Sequence, residues 1–182
     1  MTDDVPTVSI AAVPATEHTV VERLLQLYLH DFSAFADAAD PYGKVSDAGL
    51  FAYDHLDAYW HEPGREALLL WIGPDLAGFA LVNTWSASGR GTDKAIAEFF
   101  VLRKYRRTGV GRHAACAILQ SRPAVWEIAV AHYNQPAQLF WQAVIATLDG
   151  YTSDVLTGDD ERWSGPIWRL TPDRQRAPAH NT

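Results

Sequence analysis

The stretch from Ala95 to Leu119 limits the possible fold more than any other part of the sequence. An apolar run, Ala95–Leu102, has the composition of a buried strand, and apolar residues at helical spacing return soon after it. Between them stands the turn Arg106-Arg107-Thr108-Gly109-Val110-Gly111-Arg112. The first amides of a helix lack partners within the helix and lie at the positive end of its dipole. Because two glycines let an anion approach the backbone and three arginines add positive charge, the sequence predicts a phosphate-binding turn. A plain turn with solvated arginines would show the same residues, and that alternative stays open.

The rest of the chain alternates between strand-like and helix-like patterns. Helices are expected from Thr16 to Asp31, from Asp47 to Trp60, after the arginine-rich turn, and from Asn134 onward. Strands are expected at 8–13, 67–72, 77–85, 95–102, 125–131, 151–156 and 166–170. This order predicts a mixed α/β fold in a single domain, residues 1–171, followed by a flexible C-terminal tail, residues 172–182.

Composition excludes several classes of function. The formal net charge of −7 argues against a protein that binds nucleic acids or anionic membranes in general, because both need a cationic surface. The charge fits a cationic amine substrate, although solubility alone explains it equally well. Cys116 is the single cysteine, so an internal disulfide and a cysteine-rich zinc site are excluded, and the histidines show no metal-ligand spacing. Without a signal peptide or a long apolar run, a cytoplasmic protein is expected.

Residues 97–112 resemble the coenzyme-binding motif of the GCN5-related N-acetyltransferase (GNAT) superfamily. That motif is Gln or Arg, two residues, Gly, one residue, then Gly or Ala, and Arg106, Gly109 and Gly111 satisfy it. A second segment, from Val130 through Asn134 to Phe140-Trp141, is similar to the other coenzyme-side segment of that family. The resemblance implies a mixed, mostly antiparallel, twisted sheet of about six to seven strands with helices on both faces and with strands four and five splayed apart.

The same resemblance implies acetyl-CoA as the cosubstrate and no metal. Backbone groups near Phe100 and Val101 would pair with the pantetheine arm, and Asn134 would face the coenzyme, although Asn134 also suits a helix N-cap. The coenzyme's diphosphate would lie on the backbone of the turn, formed by Arg106, Arg107, Thr108, Gly109, Val110, Gly111 and Arg112.

Glu98 is the candidate general base. It interrupts an otherwise apolar strand, and a carboxylate in such a strand calls for a reason. An amine with a pKa of about 10.4 is only about 0.04 % neutral at pH 7, so its attack on a thioester requires a base. The alternative is a structural partner for an arginine or a backbone group. Trp141 occupies the slot where many relatives have an acidic tyrosine, which leaves the general acid unassigned; His132 and Tyr133 are weaker candidates.

By the same resemblance, the acceptor is expected to be a primary amine of a small molecule or peptide. Aromatic faces and carboxylates in the stretches that would wall the acceptor cleft suit such a cation. Aromatic residues at helical spacing are also typical of an ordinary core. The candidate substrate residues are Tyr28, Asp31, Tyr53 and Trp85. Two other functions compete with this enzyme: a catalytically degenerate acyl-CoA-binding sensor or scaffold, and a nucleotide-phosphate binder of another class. A homodimer is possible.

Overall fold

The computed structural model describes residues 7–35 and 43–173. Seven strands form one sheet in the order β1-β2-β3-β4-β5-β7-β6. The strands are β1 (Val8–Ala12), β2 (Glu66–Ile72), β3 (Asp75–Asn83), β4 (Lys94–Val101), β5 (Trp126–Ala129), β6 (Tyr151–Thr157) and β7 (Pro166–Pro172). The helices are α1 (His18–Phe32), α2 (Ala58–His61), α3 (Val110–Gln120) and α4 (Gln135–Ile145). The predicted α/β class with a mixed, mostly antiparallel sheet is confirmed.

Strand pairing follows the order of the strands in the chain for the first half of the sheet. β1 pairs antiparallel with β2, and β2 with β3. β5 and β6 each pair antiparallel with β7. The exception is the parallel ladder between β4 and β5, which joins Lys94 to Trp126, Ala95 to Glu127 and Ile96 to Ile128. A parallel pair needs a long crossover, and α3 lies in that connection.

The contacts divide the chain into two compact units. The first contains the described residues up to Val82 together with Glu98–Gly111, and the second contains residues 83–97 and the chain from Arg112 onward. In the first unit, one face of α1 is buried through Val21, Leu24, Leu25 and Leu29. In the second, α3 buries Ala114, Ala115, Ile118 and Leu119. The predicted tail lies almost wholly outside the described residues.

The predicted helix from Asp47 to Trp60 is wrong; only α2 is helical in that stretch. Gly49 has a φ of 75°, which ends any helix there, and Val45 forms an isolated antiparallel bridge with Phe51. Leu50, an apolar residue of the predicted helix, is 53 % exposed. The segment instead attaches to α1 through Gln26, whose side-chain amide donates to the Phe51 carbonyl (3.1 Å) and accepts from its N–H (2.8 Å).

Other boundaries moved by a few residues. α1 begins at His18 rather than Thr16, after a short 3-10 turn, Ala15–Glu17. Helix ends shift readily by a residue or two, so the pattern fixes the element better than its limits.

Candidate active site

The predicted phosphate-binding turn lies between β4 and α3. A 3-10 turn, Arg103–Tyr105, follows β4, and Arg106 is extended, with φ −72° and ψ 148°. Arg107 (φ 64°) and Gly109 (φ 89°) then adopt left-handed backbone conformations, after which α3 begins at Val110. A left-handed conformation at a non-glycine residue costs about 1–2 kcal/mol, and such strain is concentrated at functional sites. A turn of this kind followed by helix amides is suited to an anion. We call the backbone of residues 106–111 the anion cradle.

The Arg106 side chain is directed at the protein rather than away from it. Its Nε donates to the Val101 carbonyl (2.7 Å), its guanidinium lies 5.4 Å from the centre of the Phe100 ring, and a terminal nitrogen donates to Asp31 (2.5 Å). Arg107 and Thr108 are exposed. Arg106 was predicted to add positive charge to the turn. Its side-chain contacts show that it supports the end of β4.

Asp31, a predicted substrate residue, accepts hydrogen bonds from Arg103 (2.6 Å) as well as Arg106. Burial raises the pKa of the Asp31 carboxyl, but the hydrogen bonds from Arg103 and Arg106 lower it by more, so the carboxyl stays ionised. Its carboxylate is thus engaged by two arginines of its own unit, and its contact with a substrate stays a prediction.

Glu98 lies in the middle of β4 and meets two tyrosine hydroxyls. The Tyr53 hydroxyl donates to Glu98 Oε1 (3.0 Å), and the Tyr28 hydroxyl also hydrogen-bonds to this carboxyl. Neighbouring atoms enclose the carboxyl, while the residue keeps some solvent access. Burial raises the pKa of Glu98 to about 7, against the lowering effect of the two tyrosines. A carboxyl that is half ionised near neutral pH suits a general base.

Aromatic packing holds Tyr28 and Phe100 beside Glu98. The Tyr28 ring lies 5.9 Å from that of Phe100 and 6.0 Å from that of Phe79, both in edge-to-face geometry. Gly78 lies so close to β4 that a Cβ atom there would come within 2.0 Å of the Phe100 carbonyl oxygen. Phe100 and Val101 are both buried. Pairing of their backbone groups with the pantetheine arm of the coenzyme stays a prediction.

The remaining predicted site residues belong to the second unit. The Asn134 side chain accepts a hydrogen bond from the Ala137 N–H (3.2 Å). Asn134 is therefore the N-cap of α4, which is the alternative role that the sequence predicted for it. Arg112 lies on α3 and is exposed. Trp85 is 46 % exposed, and the Arg162 guanidinium lies 6.0 Å from the centre of its ring, so this indole face already accepts a cation. A contact of Asn134 or Arg112 with a coenzyme stays a prediction.

Sequence reasoning missed Glu127, a second acidic residue in an apolar strand. It is 1 % exposed, accepts hydrogen bonds from the Ser86 and Ser88 hydroxyls and the Ser88 N–H, and forms an ion pair with Arg169 (2.8 Å). Burial raises the pKa of its carboxyl, but these hydrogen bonds lower it by more. The rule that identified Glu98, a lone carboxylate in an apolar run, would also have identified Glu127. Its surroundings are those of a structural ion pair.

A role for His132 or Tyr133 as the general acid stays a prediction. Trp141 is buried and has no acidic proton. His132 shares a hydrogen bond with the Ser164 hydroxyl (3.2 Å). Within residues 7–35 and 43–173, no group of His, Cys, Asp and Glu side chains could hold a metal ion. Over the same described ranges, none of the helices combines the length and hydrophobicity that crossing a membrane requires.

The sequence model of the acetyltransferase (GNAT) family matches residues 21–144, more than half of the chain. No curated protein sequence matches the chain significantly.

Three solved structures are similar in fold. An acetyltransferase from Thermus thermophilus has a TM-score of 0.60 at 18 % identity, over 92 % of this chain and 98 % of its own. The PaiA N-acetyltransferase from Thermoplasma acidophilum, solved with coenzyme A, has a TM-score of 0.56 at 10 % identity, over 91 % and 99 %. The ribosomal-protein-S18-alanine N-acetyltransferase from Escherichia coli has a TM-score of 0.52 at 13 % identity, over 95 % and 98 %. Identities this low show the fold alone.

Proposed function

The chain belongs to the GNAT acetyltransferase family, and from that premise we propose that it transfers an acetyl group from acetyl-CoA to a primary amine of a small molecule or peptide. The observation that carries the proposal is Glu98, a residue with some solvent access whose enclosed carboxyl has its pKa raised to about 7. A structural carboxylate is expected to resemble Glu127, with a lowered pKa and an arginine partner. Glu98 instead has the protonation behaviour that a base needs at neutral pH.

The residues of the first unit fit the coenzyme. The anion cradle would hold the diphosphate through the backbone around Gly109 and the first amides of α3. The backbone of Phe100 and Val101 would meet the pantetheine arm. In the second unit, Arg112 is the residue proposed for the diphosphate, and Asn134 is the one proposed to face the coenzyme. Acetyl-CoA supplies an acetyl thioester, whose carbonyl carbon is the electrophile. No metal is part of the proposal.

Glu98 would take the proton that an ammonium group must lose before its nitrogen can attack, directly or through one water. With a pKa near 7, the carboxyl is largely ionised above neutral pH. We assign no general acid, because Trp141 stands in the usual tyrosine slot. A thiol of pKa about 8.5 needs acid assistance far less than an alcohol does.

The acceptor would approach Glu98 beside Tyr28 and Tyr53, whose hydroxyls lie on the carboxyl. Trp85, which already accepts a guanidinium on its ring, is the proposed cation-binding residue of the second unit. The Escherichia coli structure is that of an enzyme acting on the alanine of a ribosomal protein, and it supports an amine as the class of acceptor.

Free-thiol release from acetyl-CoA, measured over a panel of small amines and peptide N-termini, tests the proposal. We expect turnover with at least one amine and a loss of about 10²–10⁴-fold in kcat on Glu98→Gln, because that is the usual contribution of a general base. Glu62→Gln is the matched control, since Glu62 is an exposed glutamate of the same unit that pairs with the nearby Arg65.

Calorimetric titration of acetyl-CoA separates the outcomes. Tight binding by the wild type and by Glu98→Gln, with turnover only in the wild type, supports the proposal. Binding without turnover for any amine would instead favour the degenerate acyl-CoA sensor, for which Trp141 is the specific observation. Full activity of Glu98→Gln would remove Glu98 as the base.

A further inference from the structure

Two tyrosine hydroxyls from different parts of the chain converge on the Glu98 carboxyl. Tyr28 comes from α1, and Tyr53 comes from the irregular segment before α2, with its hydroxyl 3.0 Å from Oε1. A tyrosine hydroxyl has a pKa of about 10, so both groups remain donors throughout the range in which a glutamate titrates. A donor that faces a carboxyl from a fixed position favours the ionised form.

The position of Tyr53 depends on a tether in α1. Gln26 makes two hydrogen bonds to the backbone of Phe51, two residues before Tyr53. The amide thus acts as a short strand partner and fixes a segment that has little secondary structure of its own. Tyr28 is fixed independently, by the rings of Phe79 and Phe100.

The groups around this carboxyl determine which of its two protonation states is favoured. Among the described residues, the side chains that act on the Glu98 carboxyl are Tyr28 and Tyr53. Of the titratable and charged groups beyond them, His55 packs against the Tyr53 ring with ring centres 6.4 Å apart, and Arg106 lies over the ring of Phe100. The guanidinium of Arg106 is paired with Asp31. Burial and the two tyrosines are therefore the opposing influences on the Glu98 proton.

We propose that Tyr28 and Tyr53 are positioning residues, which hold the Glu98 carboxylate in one orientation and favour its ionised form against the cost of burial. The inference rests on the proposed function, since it concerns the same base. Burial favours the protonated form of Glu98, and the two tyrosine hydroxyls oppose this effect. Removing either hydroxyl weakens that opposition. The proton is then held more tightly, and a higher pH is needed to ionise Glu98.

The test compares the pH dependence of kcat/KM for the wild type, Tyr53→Phe, Tyr28→Phe and the double variant, with an amine that the wild type acetylates. We expect the acid limb to move up by about one pH unit for each variant, which is about tenfold in rate below the limb. Rates on the alkaline plateau should fall by a smaller factor than rates below the limb. A purely structural effect would lower the rate by the same factor at every pH.

Tyr105→Phe is the matched control. The Tyr105 hydroxyl also donates to a carboxylate, that of Asp75 (3.3 Å), in the same unit. This variant removes the same atom from the same kind of pair away from Glu98, and its acid limb should coincide with that of the wild type.

A readout without catalysis separates this inference from the proposed function. The Glu98 carboxyl carbon is followed by NMR titration of protein labelled with ¹³C-glutamate and assigned with Glu98→Gln. A higher titration midpoint in Tyr53→Phe supports the inference even if no amine is acetylated, whereas an unchanged midpoint in both single variants overturns it. A raised midpoint with an unmoved acid limb would contradict Glu98 as the base and leave the role of the tyrosines intact.

Discussion

Glu98 and Glu127 both lie in apolar strands and have opposite surroundings. Glu127 accepts hydrogen bonds from two serines and pairs with Arg169, so its charge is fully compensated. Glu98 meets two neutral hydroxyls and, among the residues that the structure describes, no cation, and burial raises its pKa to about 7. The difference follows from the partner, since burial alone opposes ionisation in both.

The raised pKa of Glu98 makes a prediction about stability. The native carboxyl titrates near pH 7 and an ordinary glutamate near 4.5, so the native state binds more protons between these values. The stabilisation due to protonated Glu98 is present below about pH 4.5 and lost as the pH rises through 7. The unfolding free energy of Glu98→Gln minus that of the wild type should grow by about 2–3 kcal/mol between pH 5 and pH 8.

Urea unfolding at the two pH values measures this difference. Glu62→Gln, at an exposed position, should show a nearly constant difference from the wild type. A constant difference for Glu98→Gln as well would mean that the native carboxyl titrates at its ordinary pH.

At this scale the sequence predicts some roles and misses others. A lone glutamate in an apolar strand was enough to single out Glu98, but whether such a residue is a base or half of an ion pair depends on contacts distant in the chain. The ion-pair partner of Glu127 is Arg169, and the hydrogen-bond partners of Glu98 are Tyr28 and Tyr53. Tyr53 was predicted as a substrate residue because of its aromatic ring, and its hydrogen bond to Glu98 was not foreseen.

At the scale of elements, Asp31 joins the end of α1 to the turn after β4. It receives Arg103 and Arg106 together, while Arg106 also holds the Val101 carbonyl. These contacts fix the entry to the anion cradle from one side. We call these contacts the brace. Its side chains are partly exposed, so each ion pair alone contributes little to the stability of the fold, and the effect of the brace lies in the geometry of the turn.

Asp31→Asn tests the brace, because loss of the brace and loss of the Asp31 charge should change the affinity for the coenzyme in opposite directions. By charge alone, removing an acidic group near a diphosphate-binding turn should tighten coenzyme binding. The brace predicts the reverse, a Kd for coenzyme A about three- to tenfold weaker by calorimetry, because Arg106 is no longer held against β4. Asp75→Asn, another exposed acid of the unit, should change the Kd little. Tighter binding by Asp31→Asn would show that charge outweighs the brace.

The elements that the sequence predicted well are those with a strong period. The alternation and apolar runs of β2, β3 and β4 and the apolar stripe of α1 reproduce the observed strands and helix within a few residues. The prediction of a helix from Asp47 was wrong. The apolar residues there have helical spacing, but Gly49 and the distant side-chain amide of Gln26 determine the path of the backbone. A tether from another element leaves no local signal.

At the scale of the whole molecule, the order of helices and strands along the chain predicts most of the strand pairing in the sheet. One parallel pair, β4 with β5, follows from the helical crossover α3, and the other observed pairs follow from short connections or the return of the last two strands. The motif at Arg106, Gly109 and Gly111 indicated the family, which the match over residues 21–144 bears out. The acceptor is not determined in this way, because its recognition depends on side chains that the family motif does not include.

Calorimetric titration of coenzyme A into the wild type, Gly109→Ala and Gly73→Ala tests most directly that the anion cradle holds the coenzyme. Gly109 and Gly73 both have positive φ, 89° and 56°, in the same unit, and a Cβ at Gly73 would meet no atom within 4 Å. Both substitutions strain the backbone by about 1–2 kcal/mol, but Gly73 lies in the turn between β2 and β3. We predict saturable binding by the wild type, nearly equal affinity for Gly73→Ala, and a Kd at least about tenfold weaker for Gly109→Ala, a loss of about 1.4 kcal/mol. Equal affinities for all three proteins, or no binding by the wild type, would contradict the account.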